Sequence, residues 1–123
     1  MEKEDLKIRT KEFALRIIKL VKALPKNQAG IVIGNQLLRS GTSVASNYRA
    51  VCRSRSRADF NSKIGVVIEE ADESVFWLEL IIESGLIEKE LILSLLDKAN
   101  QITAIMVASR KTSISNQEGN NYS

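Results

Sequence analysis

Hydrophobic residues recur every three or four positions along most of the chain, which is the spacing of one face of an α-helix. The pattern is clearest between Ser56 and Gly85, where the apolar face is made by Phe60, Ile64, Val67, Ile68, Ala71, Val75, Leu78 and Ile82. Ser56 and Asp59 have the spacing of a capping box, and Gly85 suits the left-handed position that ends many helices. At about 1.5 Å per residue this stretch predicts a helix of roughly 40 Å, which needs partner helices along its length.

Three other stretches show the same periodicity. The first covers about 10–24 and stops before Pro25, because the residue before a proline is disfavoured in a helix. The second covers about 29–53 and carries Gly41 within its apolar stripe, where the missing side chain would let a neighbouring helix approach closely. The fourth covers about 89–110. Short connections favour antiparallel neighbours, so the predicted fold is all-α, an up-down-up-down antiparallel four-helix bundle.

The domain organisation expected from these stretches is simple. Residues 1–9 form a charged N-terminal lead, residues 10–111 form the four-helix bundle, and residues 112–123 form a flexible polar tail without periodicity. A hydrophobic content of 44% excludes a wholly disordered chain, and no apolar run is long enough to span a membrane. Cys52 is the only cysteine, so no internal disulfide can form, which fits the reducing cytoplasm. We therefore expect a cytoplasmic protein without membrane partners.

Residues that carry catalysis or bind metals are scarce. The chain has no histidine, which removes the commonest general base and a common metal ligand. The predicted third helix carries a stripe of carboxylates, but di-iron sites in helical bundles also need histidines on two helices. No catalytic triad, glycine-rich phosphate loop or cysteine cluster occurs in the sequence. We expect a protein that is not an enzyme and that has no cofactor, metal or catalytic residue.

Charge is unevenly divided along the chain. Residues 1–63 hold 14 Lys and Arg against 5 Asp and Glu, a balance of +9, whereas residues 64–123 hold 4 against 10, a balance of −6. Arginines align along the second helix and the turn that follows it, with a lysine nearby; the candidate nucleic-acid contacts are Arg39, Arg49, Arg53, Arg55, Arg57 and Lys63. Guanidinium groups match phosphate oxygens in bidentate geometry, so this row could bind a nucleic-acid backbone. It could also be a solvated face, or pair with the acidic residues of the second half.

A second set of apolar residues lies beside the main stripe of the third helix. It includes Val66, Trp77, Leu80 and Ile81, with Phe76 further round and with Glu70 and Glu73 among them. A broad core face meeting two neighbouring helices is one interpretation, and it accounts easily for Ile81. Two neighbouring aromatic residues are harder to accommodate that way, since aromatics are enriched at interface cores. We therefore expect a subunit interface made by Val66, Glu70, Glu73, Phe76, Trp77 and Leu80, with Glu70 and Glu73 bonding to another helix.

Several segments resemble a known family when they are taken together. They are Leu24-Pro25, QLLRSGTSVASNYRA at 36–50, RSRADF at 55–60, EEADES at 69–74 and WLEL at 77–80. The combination resembles the bacterial four-helix-bundle proteins encoded in intervening sequences of large-subunit ribosomal RNA genes, over about residues 10–111. A more distant similarity is to the accessory variability proteins of diversity-generating retroelements, which bind a reverse transcriptase and nucleic acid.

This resemblance implies a bundle that assembles as a ring, usually a homopentamer, with a poorly defined role near RNA. By match with the family's pattern, Arg39, Arg49, Arg53, Arg55 and Arg57 are the candidate RNA contacts, while Glu73 and Trp77 have structural roles. Two hypotheses of function remain open. The protein is a basic ring that binds structured RNA or a ribonucleoprotein, or it is an oligomeric scaffold that docks a protein partner without direct nucleic-acid contact.

Overall fold

The structure, a computed structural model, describes residues 2–122 apart from the side chains of residues 117 and 119–122. Its helices are α1 (Lys3–Ala23), α2 (Gln28–Val51), α3 (Arg57–Ser84), a short 3₁₀ helix (Lys89–Leu91) and α4 (Leu93–Tyr122). The part of the chain that the structure describes contains no strand. The predicted all-α fold is therefore confirmed as a four-helix bundle in which consecutive helices run antiparallel.

Helix α3 begins and ends where the sequence predicts. The hydroxyl of Ser56 accepts a hydrogen bond from the backbone N–H of Asp59 at 3.0 Å. Gly85 has φ 70°, and the N–H of Leu86 donates to the carbonyl of Ile81 at 3.3 Å. These bonds satisfy backbone groups that the helix itself leaves without partners.

Both ends of the chain are more helical than the sequence predicts. Helix α1 begins at Lys3 rather than near Thr10, because Leu6 continues the apolar stripe and is buried. Helix α4 continues to Tyr122, through residues expected to form a polar tail. In this extension Ser113 is buried. Met1 and Ser123, the outermost residues of the predicted lead and tail, lie outside the described residues.

The core runs along the centre of the bundle and receives side chains from all four long helices. Residues with almost no exposed surface are Ile17, Leu37, Val44, Ile64, Val67, Leu78, Ile81, Ile92, Ile102 and Met106. Ile81 thus belongs to the core, as expected if α3 has a broad core face that meets two neighbouring helices. Helix α2 packs closely on α1 at Gly41, where an added Cβ would lie 2.8 Å from two carbons of Ile17. The packing between α1 and α4 is sparser than between consecutive helices.

Candidate nucleic-acid interface

The turn between α2 and α3 gathers most of the predicted arginine contacts at one end of the bundle. Arg49 lies in the last turn of α2, and Arg57 is the first residue of α3. Arg53 and Arg55 lie in the turn between the two helices. The turn is short because α2 ends at Val51 and the Ser56 cap starts α3 soon afterwards. Local sequence therefore concentrates four cationic side chains in a small volume.

These arginines are exposed, and most lack counter-ions. Within the part of the chain that the structure describes, the guanidinium groups of Arg49, Arg53 and Arg57 make no hydrogen bond or ion pair. Arg57 also lies at the positive end of the α3 dipole, where a cation is unfavourable. Like charges held together without partners raise the free energy of the free protein. A bound anion would lower it.

A recess of about 420 Å³ lies beside this turn and is lined by Ala50, Arg53, Arg55, Asp59 and Lys63. Lys63 Nζ lies 2.9 Å from Asp59 Oδ2, and the backbone N–H of Arg55 donates to the same oxygen at 3.1 Å. The hydrogen bond from Lys63, and then that from the Arg55 amide, hold the pKa of Asp59 below its ordinary value. Three cations thus face one carboxylate, and the recess keeps a net positive charge.

Arg39 has a different environment from the other arginines. Its Nη1 donates to Glu70 Oε2 at 3.1 Å, and its Nη2 donates to Glu73. Glu73 Oε2 also accepts a hydrogen bond from the indole N–H of Trp77 at 3.0 Å. The prediction that Glu70 and Glu73 bond to another helix is therefore confirmed. A role for Arg39 in binding RNA stays a prediction, and such a role would compete with these ion pairs.

The predicted subunit interface lies along the outside of α3. Phe76 is 52% exposed and Val66 is 42% exposed, whereas Trp77 and Leu80 are half-buried. The rings of Phe76 and Trp77 meet edge to face with their centroids 4.9 Å apart. Trp77 therefore packs partly within its own subunit, and Phe76 presents most of its ring outward. No partner subunit is present, so the interface remains a prediction.

The structure adds residues to the basic end that the sequence did not single out. Lys3 of α1 and Ser109, Thr112 and Asn116 of α4 line a cleft next to Arg55 and Arg57. Lys3, Thr112 and Asn116 were missed because residues 1–9 and 112–123 were expected to lie outside the bundle. A signal was present for α1, since Leu6 and Phe13 are seven residues apart on one helical face.

The described residues include no group of three or more His, Cys, Asp or Glu side chains placed to hold a metal ion. No helix among them is both long enough and apolar enough to cross a membrane. The described carboxylates Glu69, Asp72, Glu79 and Glu83 are exposed on α3. The arginine-rich turn is therefore the feature that best defines a candidate site.

Comparison with known proteins identifies the family. The model of the 23S rRNA-intervening sequence protein family matches residues 3–108. The chain belongs to this family. A crystal structure of a protein of unknown function from the S23 ribosomal protein family of Bacteroides thetaiotaomicron VPI-5482 is similar, with 36% sequence identity and a TM-score of 0.83. The similarity covers 90% of this chain and 99% of that one.

The match to the 23S rRNA-intervening sequence protein family covers most of the bundle. The matched region begins at Lys3, as α1 does, and includes the whole α2–α3 turn. No curated protein gives a significant match to the chain. Since the similar crystal structure is itself described as a protein of unknown function, the activity has to be inferred from the site.

Proposed function

We propose that this 23S rRNA-intervening sequence family protein is a non-enzymatic, RNA-associated protein of the cytoplasm. It binds the RNA backbone through Arg49, Arg53, Arg55, Arg57 and Lys63 at the α2–α3 end of the bundle. The observation that carries the proposal is the group of exposed arginines beside a recess with a single carboxylate. Guanidinium groups in this arrangement suit phosphate oxygens, and contacts of this kind position the RNA without reading its sequence.

The proposal includes assembly as a homo-oligomer, and the family resemblance favours a ring of five subunits. A ring repeats the basic end in every subunit, so individually modest contacts act together on one RNA. The interface proposed is the α3 surface made by Val66, Glu70, Glu73, Phe76, Trp77 and Leu80. Exposed aromatic surface at Phe76 supports it. Arg39 would then serve the assembly by holding Glu70 and Glu73 in place.

The test is filter binding of a structured RNA to wild type and to the double variant Arg49→Glu/Arg53→Glu. If about 6–10 phosphates are contacted, wild-type affinity should fall about 10³–10⁵-fold between 50 and 200 mM salt. The double variant should bind all RNAs more weakly and to a similar extent, because backbone contacts carry no sequence preference. Its salt dependence should also become shallower, since fewer counter-ions are released.

A matched control is Lys19→Glu/Lys22→Glu, which makes the same change of charge at exposed positions on α1. It should reduce affinity far less than the double arginine variant, since α1 residues 19 and 22 lie outside the proposed site. Equal effects of the two variants would show that only net charge matters. If wild type does not bind RNA at about 50 mM salt, the low end of that range, the RNA-binding proposal is wrong.

The second candidate function is an oligomeric scaffold that docks a protein partner. Exposed Phe76 and Val66 favour it, because large apolar side chains exposed outside the core suit protein contacts. On this alternative, wild type binds RNA only weakly, and the arginine variants bind it with the same weak affinity. Substitutions at the α3 surface would instead change the assembly or the capture of a partner.

A further inference from the structure

A cleft of about 630 Å³ opens at the same end of the bundle as the arginine-rich turn. Its walls come from the start of α1, the end of α2, the turn 52–56, the start of α3, and α4. The volume lies within the range of roughly 300–1,000 Å³ typical of small-ligand pockets. Arg55 lines both this cleft and the neighbouring recess. The cleft and the recess are therefore neighbours with Arg55 in common.

The rim of the cleft is cationic and rich in hydrogen-bonding groups. Lys3, Arg55 and Arg57 are all exposed along it, and α4 contributes the polar side chains of Thr112 and Asn116. No Asp or Glu is found among the described residues that line it. An anion with several hydrogen-bonding atoms matches these walls, and an uncharged apolar ligand does not.

The interior of the cleft offers apolar and aromatic surface. Leu6 and Val51 are buried at its base, and the ring of Phe60 is partly exposed there. Tyr48 also lines it, and burial, with a smaller effect of Cys52, raises the pKa of its hydroxyl above the ordinary value of 10.0. The phenol therefore stays neutral and does not repel an anion. A flat, aromatic group fits this surface, since bases stack on aromatic side chains.

We propose that this cleft receives one unpaired nucleotide of a bound RNA, with its base against Phe60 and its phosphate at Arg55 and Arg57. The inference rests on the proposed function and adds to it a preference for RNA with an unpaired nucleotide. A base inside a duplex is stacked and paired, so it cannot enter, whereas a base in a loop, bulge or overhang can. The RNA backbone lies across the recess, and Arg55 joins the two subsites.

The test compares two hairpin RNAs that share one duplex, one ending bluntly and one with a short single-stranded overhang. Wild type should bind the overhang hairpin roughly 5- to 150-fold more tightly, the range expected for one stacked base. Thr112→Glu places a carboxylate in the cleft at an exposed position. It should abolish the preference and weaken binding of the blunt hairpin only slightly, since a duplex does not enter the cleft.

The matched control is Lys111→Glu, an exposed neighbour on α4 that is not among the residues lining the cleft. It changes the net charge by two units rather than one, so it should weaken both hairpins slightly and keep the preference. Phe60→Leu keeps an apolar side chain against the core and removes the ring. It should weaken binding of the overhang hairpin alone, with circular dichroism confirming that the variant is folded.

Equal wild-type affinities for the two hairpins would overturn the cleft inference and leave RNA binding by the arginine cluster standing. A preference that persists in Thr112→Glu, or one that Lys111→Glu abolishes equally, would also overturn it. Absence of binding to both hairpins at about 50 mM salt would overturn the inference together with the proposed function.

Discussion

Arginine occurs in two environments in this protein, and the difference depends on what each side chain can reach. Arg39 lies midway along α2 and forms ion pairs with Glu70 and Glu73 of α3. Arg49 and Arg53 lie nearer the end of the bundle, where α3 carries Asp59 already paired with Lys63. Arginine thus stabilises the α2–α3 contact midway along the bundle and remains available to a ligand near its end.

Asp59 gives a prediction about pH at the residue scale. Its folded-state pKa is lowered chiefly by the hydrogen bond from Lys63, so its ionised form stabilises the fold. The contribution is fully present above the unfolded pKa of about 3.9. It is lost as pH falls through the lower folded-state pKa. Asp59→Asn should therefore lower the urea midpoint at pH 7 by a small amount, and the difference from wild type should shrink toward pH 3.

The measurement is urea unfolding at both pH values, at fixed protein concentration. Asp72→Asn is the control, because Asp72 is exposed on the same helix and has no ion pair within the described residues. A difference between wild type and Asp59→Asn that grows as the pH falls would contradict the assigned role of the carboxylate.

At the scale of single elements, the capping of α3 shows how closely local signals set a helix boundary. Ser56 caps the Asp59 amide as the capping box requires. The carboxylate of Asp59, however, accepts from the N–H of Arg55 rather than from that of Ser56. The bond therefore fixes the turn that carries the arginines as well as the first turn of the helix. The start of α3 and the geometry of the candidate site depend on the same side chain.

Two glycines within helices should respond to alanine in opposite directions. Gly41→Ala brings a Cβ within 2.8 Å of Ile17, a stiff β-branched side chain. The overpacking should cost about 1–3 kcal/mol, more than the gain of about 1 kcal/mol from helix propensity. Gly65→Ala meets only the Arg110 guanidinium at 3.9 Å. It should stabilise the fold by about 0.5–1 kcal/mol.

Urea unfolding of the two variants at one protein concentration checks this pair. Gly65→Ala serves as the control for helix propensity, since both glycines lie inside long helices. If Gly41→Ala stabilises the protein as much as Gly65→Ala does, α1 and α2 do not need to approach closely at Gly41.

At the scale of the whole molecule, the bundle separates its two candidate surfaces. The basic end is formed by the α2–α3 turn with parts of α1 and α4, and the proposed interface runs along α3. The two share α3 but no residue. Substitutions can therefore change one property and leave the other intact, which makes RNA binding and self-association independently testable.

Self-association through α3 predicts a mass in light scattering several times the 13.7 kDa of the chain, with five subunits expected. Phe76→Glu should lower this mass and preserve helicity, because Phe76 is 52% exposed and lies outside the core. Leu91→Glu makes the same change of charge at a 66% exposed position on the 3₁₀ helix and should leave the mass unchanged. A wild-type monomer at micromolar concentration would contradict the proposed assembly.

The four helices, the caps of α3 and the close approach at Gly41 could all be predicted from the amino-acid sequence. These depend on periodicity and on residues near each other in the chain, and such signals act locally. The sequence also determined that Glu70 and Glu73 would bond to another helix, since carboxylates among apolar residues need partners.

Three features follow from the tertiary structure alone: which arginine those carboxylates hold, how far α4 extends, and that a cleft lies beside the arginine turn. Lys3, Arg57 and Thr112 come from three distant parts of the chain, and they line one cleft only when the bundle has formed. Leu6 is buried by the packing of the bundle, which local propensity does not record. The end of α4 and the cleft are therefore properties of packing, whereas the helices themselves and the caps of α3 are properties of the local pattern.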